Sequence, residues 1–277
     1  MDNLVIVGNG FDLNLGLKTS YRHFIDSVEF MKLLQNNNNI LAQDLSNSFT
    51  SNLWIDVENE LKTHCKNYPN PIQFKEHFTD LKVALMTYLR TIDTTKIIED
   101  SHAYRLLQRI QGTTFLILDF NYTDTTEYIL RKLNVDDSVI KRSLIKVHGS
   151  LANKDIIFGL EDSAPIDLLN HIYLKKSSAI NFVGIDINNS LQSHTQVHLF
   201  GHSLGETDRT YFNNFFTSSL DYRPITMSDP RQRQLFIYHF GEDGWYNLAR
   251  QIDAMTEQRL NIFRTHVNLT PIDASEQ

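Results

Sequence analysis

Apolar positions along the chain follow two alternating rhythms. Short, nearly unbroken runs of Val, Ile, Leu and Phe occur at Leu4 to Val7, Thr114 to Phe120, Leu144 to Val147, Ile156 to Phe158, Val197 to Phe200 and Leu235 to Phe240. Runs of this length without polar alternation predict strands buried on both faces of a parallel sheet. Between them, apolar residues recur at intervals of three and four, which places them on one face of a helix. Tyr21, Phe24, Ile25, Val28, Met31 and Leu34 form one such series, and Phe78, Leu81, Leu85 and Leu89 a second. Ile97, Tyr104, Leu107 and Ile110 form a third, and Trp245, Leu248, Ile252, Met255 and Leu260 a fourth. Residues 20–111 carry helical patterns and no strand pattern. The order predicts an α/β fold, a mostly parallel sheet flanked by helices, with a helical insertion after the first strand. On this reading residues 1–270 are a single domain and 271–277 a frayed tail. Four asparagines, Asn36 to Asn39, are expected to end a helix and open a surface loop, and Asp162 to Pro165 and Arg223 to Pro230 to be loops.

Composition narrows the class. The chain has 277 residues, one of them cysteine (Cys65), so an intramolecular disulfide scaffold and a thiolate zinc site are excluded and no metal is expected. Lys and Arg number 26 against 33 Asp and Glu, a net charge of −7 that argues against bulk nucleic-acid binding. No apolar stretch approaches the roughly 20 residues of a membrane span, and the first strand lacks the basic flank of a targeting signal, so a cytoplasmic location is expected.

Four strand ends carry candidate chemistry. The first strand runs into Gly8-Asn9-Gly10-Phe11-Asp12. A glycine pair there either makes a tight turn or lets the backbone approach a ligand with its N–H groups facing an anion. Leu13 stands where a nicotinamide dehydrogenase has its third glycine, so that reading fails. Asn121 follows the second strand, and a carboxamide at this edge can close an Asx turn or orient a water or a ribose hydroxyl. Histidine is the side chain that ordinarily titrates near neutrality, so His148, beside Gly149 after the third strand, is a candidate base. Gly201-His202-Ser203-Leu204-Gly205 matches the nucleophile elbow of serine hydrolases, with Asp221 or Asp229 and His239 or His266 as formal partners. Trp54 and Glu58 share a helical face near Asp56 and could close a pocket or simply fill a core; Asp208, near Tyr211, suits a helix N-terminus.

Taken together, Gly8, Gly10 and Gly16, then Asn121, His148-Gly149, Ile157-Phe158-Gly159 and Gly201-His202-Ser203-Leu204 resemble the ordered motifs of sirtuin-like NAD-consuming enzymes. With Leu17 to Tyr21, Trp54 to Glu58, Phe120 to Thr123 and Asp208, the chain resembles more specifically the AbiH family of bacterial phage-resistance (abortive infection) proteins. The resemblance implies a Rossmann-like, sirtuin-like sheet that binds NAD as substrate and hydrolyses it to nicotinamide and ADP-ribose. It implies that Gly8, Asn9, Gly10, Phe11, Asp12, Ser20, Tyr21, Gly201 and Ser203 contact the dinucleotide. Asn121 would position the water or the ribose, and His148 would act as base. Thr123 stands where the sirtuin pattern has aspartate, Asn9 where it has alanine, and the four-cysteine zinc module is absent, which removes protein deacylation. A non-catalytic NAD or ADP-ribose sensor and a serine hydrolase are the alternatives. A phage-derived trigger, a partner defence protein or self-association would supply the control that abortive infection needs.

Overall fold

Six parallel strands form one sheet among the described residues: β1 (Asn3–Val7), β2 (Phe115–Asp119), β3 (Leu144–Lys146), β4 (Gln196–Phe200), β5 (Gln234–His239) and β6 (Asn268–Asp273), in the order β3-β2-β1-β4-β5-β6. The computed structural model describes residues 3–36, 39–51, 57–68, 70–153, 156–182, 184–221 and 233–275. Every residue of β1 is buried, as its unbroken apolar sequence requires. The chain starts in the middle of the sheet, winds outward through β2 and β3, then returns to the other side of β1 with β4. The order therefore reverses between β1 and β4, the point where open parallel sheets bind ligands at the carboxyl ends of their strands.

By contact the chain divides into two compact units. The first is Met1–Leu17, Thr94–Val147 and Ile185–Gln277, and holds the sheet with the helices Asn9–Asn14, His102–Ile110, Thr125–Lys132 and Gly241–Met255 among others. One face of its sheet contributes Leu4, Ile6, Leu118, Val197, Leu199 and Ile237 to a core completed by Phe212, Phe215, Ile252 and Phe263. The second unit is Lys18–Asp93 and His148–Gly184. It is helical, and its longest helix, Pro71–Arg90, is capped by Asn70 and buries Phe74, Phe78, Leu81, Leu85 and Leu89.

Several expectations change. Ile156 to Phe158 is buried but forms no strand; the Ile157 N–H bonds the His148 carbonyl at 2.7 Å instead of joining a ladder. A short apolar run looks the same whether it fills a strand or a packed loop. Pro271 to Asp273 is no frayed tail but part of β6, the outer strand, where the missing proline N–H costs no ladder bond. The helix expected from Tyr21 is two helices, Tyr21–Ile25 and Val28–Asn36, because the Ser27 hydroxyl accepts the Phe30 N–H and starts a new one. The break turns the face: Phe30 and Leu33 are buried, while Val28 and Met31 face solvent. Asn39 is buried and caps Ile40–Ser51 through the Ala42 N–H at 2.9 Å, while its amide donates to the His77 carbonyl.

Candidate functional site

Two glycine loops cross at the reversal point. The Gly8 N–H donates to the Phe200 carbonyl and the Gly10 N–H to the Gly201 carbonyl, both at 2.9 Å, so the turn after β1 is laced to the turn after β4. A Cβ on Gly8 would lie 2.6 Å from the His202 Cα, and one on Gly201 2.3 Å from the Phe11 nitrogen. Gly201 also has φ of +64°, the left-handed region. These glycines permit backbone to meet backbone. The Phe11 N–H is likewise taken, by the Gly8 carbonyl. The expected glycine N–H groups facing an anion are thus turned to protein carbonyls, and a ligand here would be received by the shape of the crossing. Asn9 is exposed beside it, and Phe11 is buried edge-on against Phe200 with ring centroids 5.4 Å apart. Phe240, at the end of β5, is partly exposed against Gly10, an aromatic surface beside the crossing that sequence reasoning missed.

Asn121 is buried two residues past β2. Its side-chain amide donates to the Gly8 carbonyl at 3.1 Å, and its own N–H bonds Asp119 Oδ1 at 2.8 Å. The Asx turn is therefore made by Asp119, which frees the Asn121 carboxamide for the crossing. Asp119 Oδ2 takes Lys146 Nζ at 2.9 Å across the register of β2 and β3, and Lys146 also donates to the Thr123 carbonyl. The Thr123 hydroxyl donates to Asp12 Oδ2 at 2.6 Å. Asp12 is only 1% exposed and turns inward to this ring, and its Oδ1 is a buried acceptor with no hydrogen bond. Burial pushes the Asp12 carboxyl up to about 7, with Asp119 adding to the rise; the hydroxyls of Thr123 and Thr125 and the Lys146 charge oppose it.

Ser203 is exposed, and its hydroxyl accepts the Gly205 N–H at 3.3 Å. The strained residue is Leu204, buried at φ +53°, rather than the serine an elbow would strain. Nδ1 of His239 and of His266 meets the carbonyl of Gly241 and of Ser219, and the Ser203 hydroxyl bonds Gly205 and neither histidine. His202 Nδ1 accepts the Leu204 N–H at 3.0 Å, which assigns the ring hydrogen to Nε2, 3.4 Å from Asp208 Oδ2. Asp208 serves that histidine from within a 3₁₀ helix, Glu206–Tyr211.

Ser20, Tyr21 and His148 belong to the second unit. Ser20 caps Tyr21–Ile25 and its hydroxyl meets His23 Nδ1 at 2.7 Å. The Tyr21 hydroxyl donates to Glu58 Oε1 at 3.4 Å, and Glu58 forms a buried ion pair with Lys176 at 2.8 Å. His148 is buried, two residues past β3. Trp54 and Asp56 lie outside the described residues, as does Arg223 to Pro230.

An all-parallel sheet in the order 3-2-1-4-5-6, with its candidate site at the reversal of that order, defines a Rossmann-like α/β protein. The family described as "Bacteriophage abortive infection AbiH" matches residues 4–228. The chain belongs to this family and is accordingly a bacteriophage abortive-infection protein. No curated protein matches the chain. No helix among the described residues is long and apolar enough to cross a membrane.

Proposed function

We propose that the protein hydrolyses the nicotinamide glycosidic bond of NAD, giving nicotinamide and ADP-ribose and depleting NAD in infected cells. The observation that carries this reading is the glycine crossing at the reversal between β1 and β4, with the Asn121 carboxamide fixed on the Gly8 carbonyl. Dinucleotides bind at such a reversal in Rossmann-like sheets. Gly8 to Phe11, Gly201 and Ser203 would receive the dinucleotide through the contour of the two turns. Asn121, held by its amide, keeps its side-chain carbonyl as an acceptor for a water or a ribose hydroxyl. His148 takes the role of base, and Ser20 and Tyr21 that of further contacts, from the sirtuin resemblance.

The chemistry asks little more of the residues. Nicotinamide departs from a cationic nitrogen and leaves neutral, so no general acid is required. The site must stabilise an oxocarbenium-like centre and deliver water. A positioned base contributes about 10²- to 10⁴-fold, so His148→Ala removes most turnover.

Purified protein is incubated with NAD, alone and with phage lysate as trigger, and nicotinamide release is followed for the wild type, Asn121→Ala, His148→Ala and Ser203→Ala. Loss of release in the first two variants and its retention in Ser203→Ala supports the hydrolase of NAD. Tight NAD binding without release under either condition overturns the enzyme and favours the sensor. Loss in Ser203→Ala alone, with activity on esters, returns the serine hydrolase.

A further inference from the structure

The ring beneath the glycine crossing contains more carboxylates than cations. Asp12 and Asp119 are both buried, and Lys146 is the ammonium that bonds within it. The ring runs from Asp12 Oδ2 to the Thr123 hydroxyl, from the Thr123 carbonyl to Lys146, from Lys146 to Asp119, and from Asp119 Oδ1 to the Asn121 N–H. Asn121 closes it on Gly8, four residues before Asp12. The ends of three neighbouring strands are thereby tied to one carboxamide. With Asp119 ionised and paired to Lys146, charge balances when Asp12 is neutral. A second buried negative charge would compete for Lys146 and draw it from Asp119. Asp12 Oδ1 is buried with no hydrogen bond of good geometry, the Thr125 hydroxyl being the donor beside the carboxyl, and so is also an unfavourable place for a full negative charge.

We propose that Asp12 is the positioning residue of this site: neutral, it completes the ring that holds the Asn121 carboxamide on the Gly8 carbonyl, and ionised, it loosens that hold. The groups that face it are the Thr123 and Thr125 hydroxyls, Asp119 and Lys146. A carboxyl raised to about 7 changes charge within the physiological range, so the site is most ordered on the acidic side of neutrality. The effect on turnover rests on the role of Asn121 proposed above; the effect on its carboxamide does not.

The test follows the side-chain amide resonance of Asn121 by ¹H–¹⁵N spectroscopy from about pH 5.5 to 8.5, with nicotinamide release measured in the same samples. In the wild type the resonance is expected to titrate near neutrality, and kcat to fall about tenfold across the range with KM little changed, as one unit of coupled pKa displacement gives. Asp12→Asn, which keeps the acceptor for Thr123, should hold the resonance at its low-pH position and remove the pH dependence of kcat. Thr123→Ser should keep the titration and Thr123→Val abolish it. A static resonance in the wild type or an unchanged titration in Asp12→Asn overturns the proposal; a titrating resonance with a flat kcat profile overturns the role of Asn121 in turnover. A titrating resonance that Asp12→Asn abolishes, with no nicotinamide released either alone or with phage lysate, overturns the NAD reading and leaves this one standing.

Discussion

Replacing Gly201 by alanine should destabilise the protein in the absence of any ligand. The new Cβ would lie 2.3 Å from the Phe11 nitrogen and 2.4 Å from both Cα and carbonyl carbon of Gly10. All three are backbone atoms, which no rotamer change can move aside. The turn must open by about an ångström to restore ordinary van der Waals contact, and the 2.9 Å bond from Gly10 to Gly201 stretches with it. An alanine at φ +64° adds roughly 1–2 kcal/mol of local strain. Overpacking adds about 1–3 kcal/mol. Together these amount to about 4 kcal/mol, a large part of the 5–15 kcal/mol available to a typical domain. Urea unfolding followed by tryptophan fluorescence measures the loss, with Gly112→Ala as control, since a Cβ there meets no atom within 4 Å. If Gly201→Ala unfolds at the control's midpoint, the two turns are not locked by their backbones. Gly201 would then be needed only for ligand clearance, with the cost confined to binding.

Other expectations follow from buried charges. Lys176→Met should cost about 3–5 kcal/mol, because Glu58 keeps its buried charge without its cation; the double variant with Glu58→Leu should recover part of this in denaturant titrations. His198 is buried, stacked on Phe236, and held down to about 4 by burial and by the Arg109 charge. The unfolded chain binds this proton below about pH 6.5 and the folded one only near 4, so stability from His198 is complete above 6.5 and falls by about 3 kcal/mol as pH drops through that window; His198→Gln should flatten this limb in unfolding curves at a series of pH values. Asp12 acts in the opposite sense: the unfolded carboxyl ionises near 3.8 and the folded one near 7, so its contribution is complete below 3.8 and about 4 kcal/mol is lost as pH rises to 7. Asp12→Asn should therefore raise stability at pH 8 and leave it nearly unchanged at pH 4; no gain at pH 8 would refute the raised pKa.

Four strands, β1, β2, β4 and β5, were legible because burial leaves a nearly unbroken apolar run that needs no knowledge of neighbours; β3, a part-buried edge strand, was legible only because Leu144 and Ile145 lead on to Val147. β6 was not: Asn268, Thr270, Pro271 and Asp273 interrupt it, as an edge strand allows. Local capping at Ser27 and Asn39 overrode helical periodicity, and either signal is visible only once the helix start is known. At the site, the strand-end positions of Gly8, Asn121 and Gly201 were readable from sequence. What the glycines do was not, since a Gly-x-Gly turn looks the same whether it clears space for phosphate or for another loop. The ring of Asp12, Thr123, Asp119 and Lys146 was equally hidden. Asp12 and Thr123 are 111 residues apart, and Asp119 and Lys146 meet because they share a register position on β2 and β3. Those pairings depend on strand order, which no local pattern encodes.

The opposed signs at His198 and Asp12 separate two kinds of buried polar residue. His198 is neutral throughout the physiological range, bonded to the Asn3 side chain at 3.3 Å and stacked between strands, so it behaves as part of the core. Asp12, its carboxyl pushed up to about 7 by burial, is expected to leave the protein less stable at neutral pH than an amide of the same shape would. Leu204 holds an uncommon left-handed backbone a few residues from the crossing, and Gly201 could not be replaced by the residue types that stabilise other turns. Strain, an unmatched carboxyl and a backbone crossing that excludes side chains all gather at the carboxyl ends of β1, β2 and β4. Selection for stability alone would remove the carboxyl with a single substitution to asparagine. Its presence at the reversal of the sheet, bonded to the loop that carries Asn121, argues that its ionisation is what this end of the sheet retains it for.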